Sequence, residues 1–372
     1  MAQSNESTVT TITERGPLAA TAVRRAWEQG RPLRVVPSDL RAPPLGDLPP
    51  ETATVVATSG TTATPRLVAH TRAGVEASCR AVSEALEIDP YRDHWLACVP
   101  LHHVAGLAIV LRTAITGTAL TVHDGFDVGA VGRAAGECTI VSLVPTQLVR
   151  LLDAGAPLQR FRVVLIGGGP IPPAVLERAI AAGVPVHTTY GLTETFGGCV
   201  HDRVALPNVE VSLAGGSNEV LVRGPMVMAG YVGHPMASRQ TLDDDGWLAT
   251  GDVGAIDAAG RLSIVDRLKD LIITGGVNVS PTAVERVVLD HPGVADVCVI
   301  GVADAEWGER VVAYVVPERR DDPLPTVGEL HRFAADRLTR AELPREVRVV
   351  DEIPRTLSGK PLRRVLSDRG DA

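Results

Sequence analysis

Aromatic residues are scarce: Phe, Trp and Tyr number four each and make up 3% of the 372 residues. With no basic run, no interleaved aromatic stripe and a formal charge of −8, the chain lacks the surface that nucleic acid requires. Cysteine is also sparse. Cys79, Cys98, Cys138, Cys199 and Cys298 are odd in number and nowhere spaced C-x-x-C, which excludes a disulfide framework or a zinc knuckle and predicts reduced core thiols in a cytoplasmic protein. No G-x-x-x-x-G-K-[ST] run occurs, so a Walker loop is excluded. The amino terminus has no apolar h-region, and Arg112 interrupts the most apolar stretch, 106–122, so neither secretion nor a membrane span is expected.

What is present is the composition of a globular enzyme, 45% hydrophobic with 36 Gly and 27 Pro, long enough for two or three domains with adequate cores. Strand patterns at 94–100, 120–123, 140–144, 162–166 and 186–189 alternate with helical patterns at 106–115, 146–152 and 172–182. Such alternation predicts a largely parallel sheet with helices on its faces. Beyond Val204 the chain turns to Gly-punctuated strands at 219–222, 247–250 and 261–265, a β-rich subdomain. After Asp266 it changes again, to helix 282–290, strands 297–302 and 310–316, helix 326–338 and strand 347–350, with 318–325 a charged connector. The expected class is therefore α/β: a large N-terminal domain of layered sheets and helices, 1–267, and a small mobile α+β domain of roughly 105 residues, 268–372.

Two loops hold the most chemistry. Thr58 to Arg66 reads TSGTTATPR between strand patterns. Gly60 lets backbone N–H groups come close, Thr58, Ser59, Thr61 and Thr62 offer hydroxyls, and Arg66 adds a permanent charge suited to phosphate oxygens. Alone, the segment reads equally as a polar surface turn. The second loop, Arg355-Thr-Leu-Ser-Gly-Lys360, carries a lysine in flexible surroundings. In Thr189-Tyr-Gly-Leu-Thr-Glu-Thr195, Tyr190 offers a stacking face, Thr193 a hydroxyl and Glu194 a carboxylate for Mg²⁺, or else the segment is a turn with a half-buried Tyr and a capping Thr. Gly167, Gly168 and Gly169 follow a buried strand pattern and permit flat backbone contact with a ring. Asp252 and the pair Asp266-Arg267 place acid and base at separate strand ends, and a ribose diol needs such an acid.

TSGTTATPR, YGLTET, ATGDVG, DRLKDLIITGG and PRTLSGK, in that order, resemble the motif series of the adenylate-forming superfamily, which includes acyl-CoA synthetases, aryl-CoA ligases and peptide-synthetase adenylation domains. The resemblance covers about Thr52 to Lys360, with a shorter front end than is usual in that superfamily. Ala63 and Arg66 stand where its loop commonly has Gly and Lys. It implies that Mg·ATP and a carboxylic acid give an acyl-adenylate, which coenzyme A then converts to a thioester. By the same resemblance Tyr190 meets adenine, Gly191 is a further nucleotide-binding residue, Thr193 meets the phosphates, Glu194 the Mg²⁺, Asp252 with Arg267 the ribose, and Lys360 bridges the carboxylate and α-phosphate. Lys269 matches the pivot between the two half-reactions, and Gly275-Gly276 a turn at the pantetheine tunnel.

Within that superfamily, WLACVPLHHVAGLAIVLR and SLVPTQLVR are similar to the o-succinylbenzoate–CoA ligases of menaquinone biosynthesis. His103 then lines the acyl pocket, and Arg112 with Ser142 receives a second carboxylate. An arginine in an apolar helix is costly unless it meets an anion, but it can also snorkel to the surface or pair with a structural acid. Other acyl-CoA ligases, a carrier-loading adenylation enzyme or a non-catalytic nucleotide binder are the competing readings. The partners expected are small molecules, with no membrane, and a homodimer is compatible with the sequence.

Overall fold

The computed structural model describes residues 9–40, 42–58, 65–318, 326–355 and 361–370. Two compact units emerge, one of Met1–Ser212, Leu221–Thr250 and Asp257–Leu262, the other of Leu213–Val220, Gly251–Ile256 and Ser263–Ala372. They are interleaved in sequence, whereas the sequence reading draws one boundary after residue 267.

The first unit contains a seven-stranded sheet in the order Val204–Ala205, Gly197–His201, Val186–Leu192, Val163–Ile166, Ile140–Leu143, His94–Ala97, Ala119–Val122. Its neighbours are parallel from Val186–Leu192 through Ala119–Val122 and antiparallel at the other edge. This is the largely parallel sheet expected from the alternating pattern. The strand from Val186 runs through Leu192, past the expected end at 189, because Gly197–His201 turns back and pairs with it. Only glycine fits at 191: a Cβ there would lie 1.9 Å from the Gly197 carbonyl oxygen.

Strand alternation gives this sheet two apolar faces. Leu96, Val141, Leu143, Val164, Ile166 and partly buried Val186 pack in one core. Against the other face lies the helix Val104–Thr116, which buries Leu107, Ala108, Val110 and Leu111 with Phe196 and ends on the left-handed Gly117. All five cysteines are buried and none forms a disulfide, as small core residues should be.

A five-stranded sheet, in the order Thr10–Ile12, Leu33–Val35, Thr52–Ala57, Leu67–Thr71, Gly230–Tyr231, carries the hydroxyl-rich loop. The strands flanking that loop are antiparallel, with Ala57 opposite Leu67. Glu210–Leu213, Glu219–Arg223, Leu248–Ile256 and Leu262–Arg267 form a four-stranded sheet.

In the second unit Val294–Asp304 and Gly308–Pro317 make a long hairpin, and the other edge of Gly308–Pro317 pairs with Ile272–Thr274 near Gly308, with Val277–Val279 beyond it, and with Glu346–Val349 further along. Gly275 and Gly276, at φ +58° and +79°, form a two-residue turn between Thr274 and Val277, the positive-φ pair that tight hairpins favour. The helix Pro281–Leu289 is capped by Ser280. Asp266 accepts from the Ser280 hydroxyl at 2.7 Å and from Thr282 N at 3.0 Å, so this acid anchors a helix start. A capping box of Thr326 and Glu329 starts the next helix, Val327–Ala334, which is shorter than the expected 326–338.

Candidate functional site

The base of the hydroxyl-rich loop is tied in two places: Thr58 N donates to the Arg66 carbonyl at 2.8 Å, and Arg66 N donates to the Thr58 hydroxyl at 3.1 Å. Ser59, Gly60, Thr61 and Thr62 lie outside the described residues. Arg66 is exposed, and its guanidinium carbon sits 5.2 Å from the centre of the Tyr231 ring. Tyr231 is buried and donates its phenolic hydrogen to Glu194 Oε1 at 2.8 Å. Burial first, then the Glu194 charge and this hydrogen bond, push the phenol up to about 12, so it remains a donor at neutral pH. Sequence reasoning named Arg66 and Glu194 but missed the tyrosine between them. Its signal, a Gly-Tyr pair in a two-residue strand, is too short to be distinctive.

Glu194 belongs to a short 3₁₀ turn, Thr193–Thr195, at the end of Val186–Leu192. Thr195, fully buried, donates to the Gly197 carbonyl at 2.7 Å and accepts from Leu192 N at 2.9 Å. Phe196 takes the left-handed conformation, φ 50°, and meets His70 edge-on with ring centroids 5.1 Å apart. Met228 N donates to the Glu194 carbonyl at 2.8 Å, fixing that backbone from another side. The carboxylate is therefore presented by a rigid turn. Its Oε1 holds the tyrosine, and no other described His, Cys, Asp or Glu groups with it as a metal cage. That fits Mg²⁺, which takes one or two protein carboxylates and completes its shell with substrate phosphates and water.

Half-buried Tyr190 and exposed Gly191 occupy the same strand, Val186–Leu192, while Gly168 and Gly169 follow Val163–Ile166. Gly168 has φ +80° and is exposed, and a Cβ on Gly167 would come within 2.5 Å of Thr189 Cγ2. The glycine run thus brings bare backbone against the next strand at the carboxyl end of a parallel sheet, where open α/β folds bind ligands.

Arg112 is 4% exposed in the Val104–Thr116 helix. Its guanidinium carbon lies 5.0 Å from the Trp95 ring centre, Nε has no hydrogen-bond partner, and no acid among the described residues forms an ion pair with it. Desolvation pulls its pKa below the usual arginine value. Snorkelling and a structural ion pair, the two bland alternatives, are thus both absent among the described residues. Register places Trp95 opposite Ile140, two residues before Ser142 and so on the same sheet face, with Ser142 half-buried. His103 precedes the Arg112 helix, and its ring packs on His102 at 4.3 Å. Loss of solvent holds both imidazoles down, that of His102 at about 4.

In the second unit Arg267 Nε lies 2.7 Å from Asp252 Oδ1. Asp252 is buried within Leu248–Ile256, not at a strand end as the sequence pattern suggested, and Arg267 closes Leu262–Arg267. Lys269 is exposed on a single 3₁₀ turn, Leu268–Asp270, just before Ile272–Thr274. Lys360 and Ala63 lie outside the described residues. No helix among the described residues is long and apolar enough to cross a membrane.

A parallel sheet with a glycine-lined carboxyl edge, a tied hydroxyl-rich loop and a rigidly held carboxylate define a nucleotide-handling α/β enzyme. The chain belongs to the AMP-binding enzyme family, whose model matches residues 2–232, and the model of the AMP-binding enzyme C-terminal domain matches 283–360. It is 36% identical over 346 residues to a 2-succinylbenzoate–CoA ligase of Geobacillus kaustophilus, covering 85% of this chain and 69% of that one. Its fold resembles the o-succinylbenzoate CoA synthetase of Bacillus subtilis in complex with the acyl-adenylate intermediate, with TM-score 0.77, 32% identity, and 93% of this chain and 76% of that chain covered. The same synthetase in complex with ATP and magnesium ion gives TM-score 0.75 and 30% identity, covering 92% of this chain and 80% of that one.

Proposed function

We propose that this protein is an AMP-forming acid–thiol ligase that uses Mg·ATP and coenzyme A, and that its acid is 2-succinylbenzoate, a step of menaquinone biosynthesis. Family membership and the relatives' named activity support the reaction. The observation that carries the acid is Arg112, a buried guanidinium without a counter-charge among the described residues. A desolvated cation of that kind costs several kcal/mol unless an anion arrives, and a dicarboxylate brings one. The aliphatic carboxylate is left to react.

In the first half-reaction that carboxylate attacks the α-phosphorus, and the bond to pyrophosphate breaks. In the second, the CoA sulfur attacks the acyl carbon and AMP leaves, the thiol proton passing to solvent. Both partners of the first step are anionic, so catalysis is mostly charge neutralisation and positioning. Thr58, Ser59, Gly60, Thr61, Thr62 and Arg66 hold the β- and γ-phosphates, and Thr193 the α-phosphate. Glu194 ligates Mg²⁺, which screens the phosphate charge when bound. Gly168, Gly169, Tyr190 and Gly191 lie along adenine, Asp252 with Arg267 takes the ribose, and Lys360 bridges carboxylate and α-phosphate oxygens. His103, Ser142 and Arg112 receive the acid. Residues 268–372 act as a lid that turns about Lys269 between the steps.

The test is ATP- and CoA-dependent thioester formation with 2-succinylbenzoate, benzoate and a medium-chain fatty acid. Turnover confined to the dicarboxylate supports the assignment. Strong turnover of either monocarboxylate overturns the choice of acid, and absence of acid-dependent pyrophosphate exchange with all three overturns the ligase reading.

A further inference from the structure

Arg112 is not alone in lacking a partner. Both ring nitrogens of His201 and the Thr189 hydroxyl oxygen are buried without a hydrogen bond to any described residue. His201 is 6% exposed. The two residues face each other across antiparallel strands on the same side of the sheet. A Cβ built on Gly198 would lie 2.2 Å from Thr189 Oγ1 and 3.0 Å from His201 Nε2, so both groups converge beside a glycine that leaves them room.

Register connects this pair to the arginine. Ser142 and Leu165 are partners, Leu165 and His187 are partners, and Thr189 is two residues past His187, so Trp95, Ser142, Thr189 and His201 share one face. That is the face over which Arg112 reaches the Trp95 ring. The Arg112 charge also acts on His201: after loss of solvent it is the next influence holding that imidazole down, at about 4. At neutral pH His201 therefore carries one N–H donor. Each orphaned buried polar group is destabilising, and a carboxylate can accept several such hydrogens at once.

We propose that His201 is a specificity-determining residue that shares with Arg112 the second carboxylate of the acid, with Thr189 as a flanking donor. This rests on the dicarboxylate reading above. Asp202, next in the chain, is engaged elsewhere, accepting from Thr188 N at 2.7 Å and pairing with His187 Nδ1 at 2.7 Å, so it does not neutralise Arg112 in place of the substrate.

The experiment compares 2-succinylbenzoate with the same keto acid lacking the ring carboxylate, in wild type, His201→Leu and His201→Asn, with urea unfolding to confirm that each variant folds. His201→Leu should raise KM for the dicarboxylate about tenfold or more and change KM for the monoacid less than about twofold, and His201→Asn, which keeps a donor, should recover most of the loss. If His201→Leu retains the full wild-type preference, or weakens both acids equally, the role of His201 is refuted while the dicarboxylate assignment stands. A wild type that does not prefer the dicarboxylate refutes both.

Discussion

Tyr231 joins Arg66 to Glu194: its hydroxyl donates to the carboxylate at 2.8 Å while the guanidinium lies 5.2 Å from its ring centre. The loop proposed to hold phosphate and the carboxylate proposed to ligate Mg²⁺ thus share one buried side chain. Removing the hydroxyl frees Glu194 to rotate and leaves its charge less restrained. A hydrogen bond to a charged group is worth about 1.5–3 kcal/mol, which is about ten- to a hundredfold in an equilibrium. Tyr231→Phe should therefore raise the Mg²⁺ concentration for half-maximal pyrophosphate exchange by about tenfold, with KM for the acid unchanged. Titration of Mg²⁺ at saturating ATP measures this, and an unchanged Mg²⁺ requirement would remove Tyr231 from the site.

Arg112 opposes stability when no anion is bound. Even a buried ion pair can often be replaced by apolar side chains of similar volume with a neutral effect or a gain of about 1–4 kcal/mol, and a lone buried cation has no partner's attraction to lose. Arg112→Met should accordingly raise the urea midpoint of the free protein while raising KM for 2-succinylbenzoate by about a hundredfold, the loss of a charge-assisted bond. The opposite signs of the two effects are the check. A variant less stable than wild type would mean that Arg112 is compensated in the free protein and is not reserved for a ligand.

Two buried histidines set an acid limit. His70 and His201 are both held down at about 4 against an ordinary 6.5, chiefly by burial. The folded state therefore binds fewer protons than the unfolded chain, so their contribution is complete above pH 6.5 and is lost as pH falls towards 4. Each adds up to about 1.4 kcal/mol per pH unit to the slope in that window. Urea unfolding between pH 6.5 and 5, above most carboxylate titrations, should show that fall. The double variant His70→Gln/His201→Gln should lessen it, leaving the part due to His102 and His103, and an unchanged slope in that variant would show that other groups take up the protons.

The parallel sheet was legible in the sequence because its strands, such as Val163–Ile166, are short apolar runs separated by helices of clear period. The helix Arg72–Ala85 escaped notice: its inner face is Gly74, Val75, Ser78, Cys79, Ala81 and Val82, residues too small to stand out from their surroundings. The helix Gly16–Glu28 buries mainly alanines, with Val23 and Trp27, and escaped for the same reason. In the site, charged and hydroxyl residues inside motifs were readable one by one. Tyr231, Thr189 and His201 were not, because what marks them is burial without a partner or contact with a residue far along the chain, and neither leaves a local pattern. Asp266 shows the converse: an acid beside a motif arginine that serves as a helix anchor.

Lysine is nearly absent from the chain. Of 36 basic side chains only two are lysines, Lys269 and Lys360, so wherever a plain positive charge suffices this chain uses arginine. Arginine is planar and directional, whereas lysine is a compact charge on a flexible stem, suited to entering a crowded site between two oxyanions. Lys360→Arg should then keep the charge but lower acid-dependent pyrophosphate exchange by about a hundredfold, comparable to losing one transition-state donor. Lys269→Pro should leave that exchange within about threefold and cut thioester formation by at least tenfold, because a ring-fixed φ blocks a hinge without touching adenylation chemistry. With so few amines, a single amine-directed reagent reports on both: ATP plus acid should slow modification of Lys360 and leave Lys269 reactive. Near-wild-type exchange in Lys360→Arg would show that a delocalised charge serves equally well, and equal loss of both half-reactions in Lys269→Pro would refute the pivot.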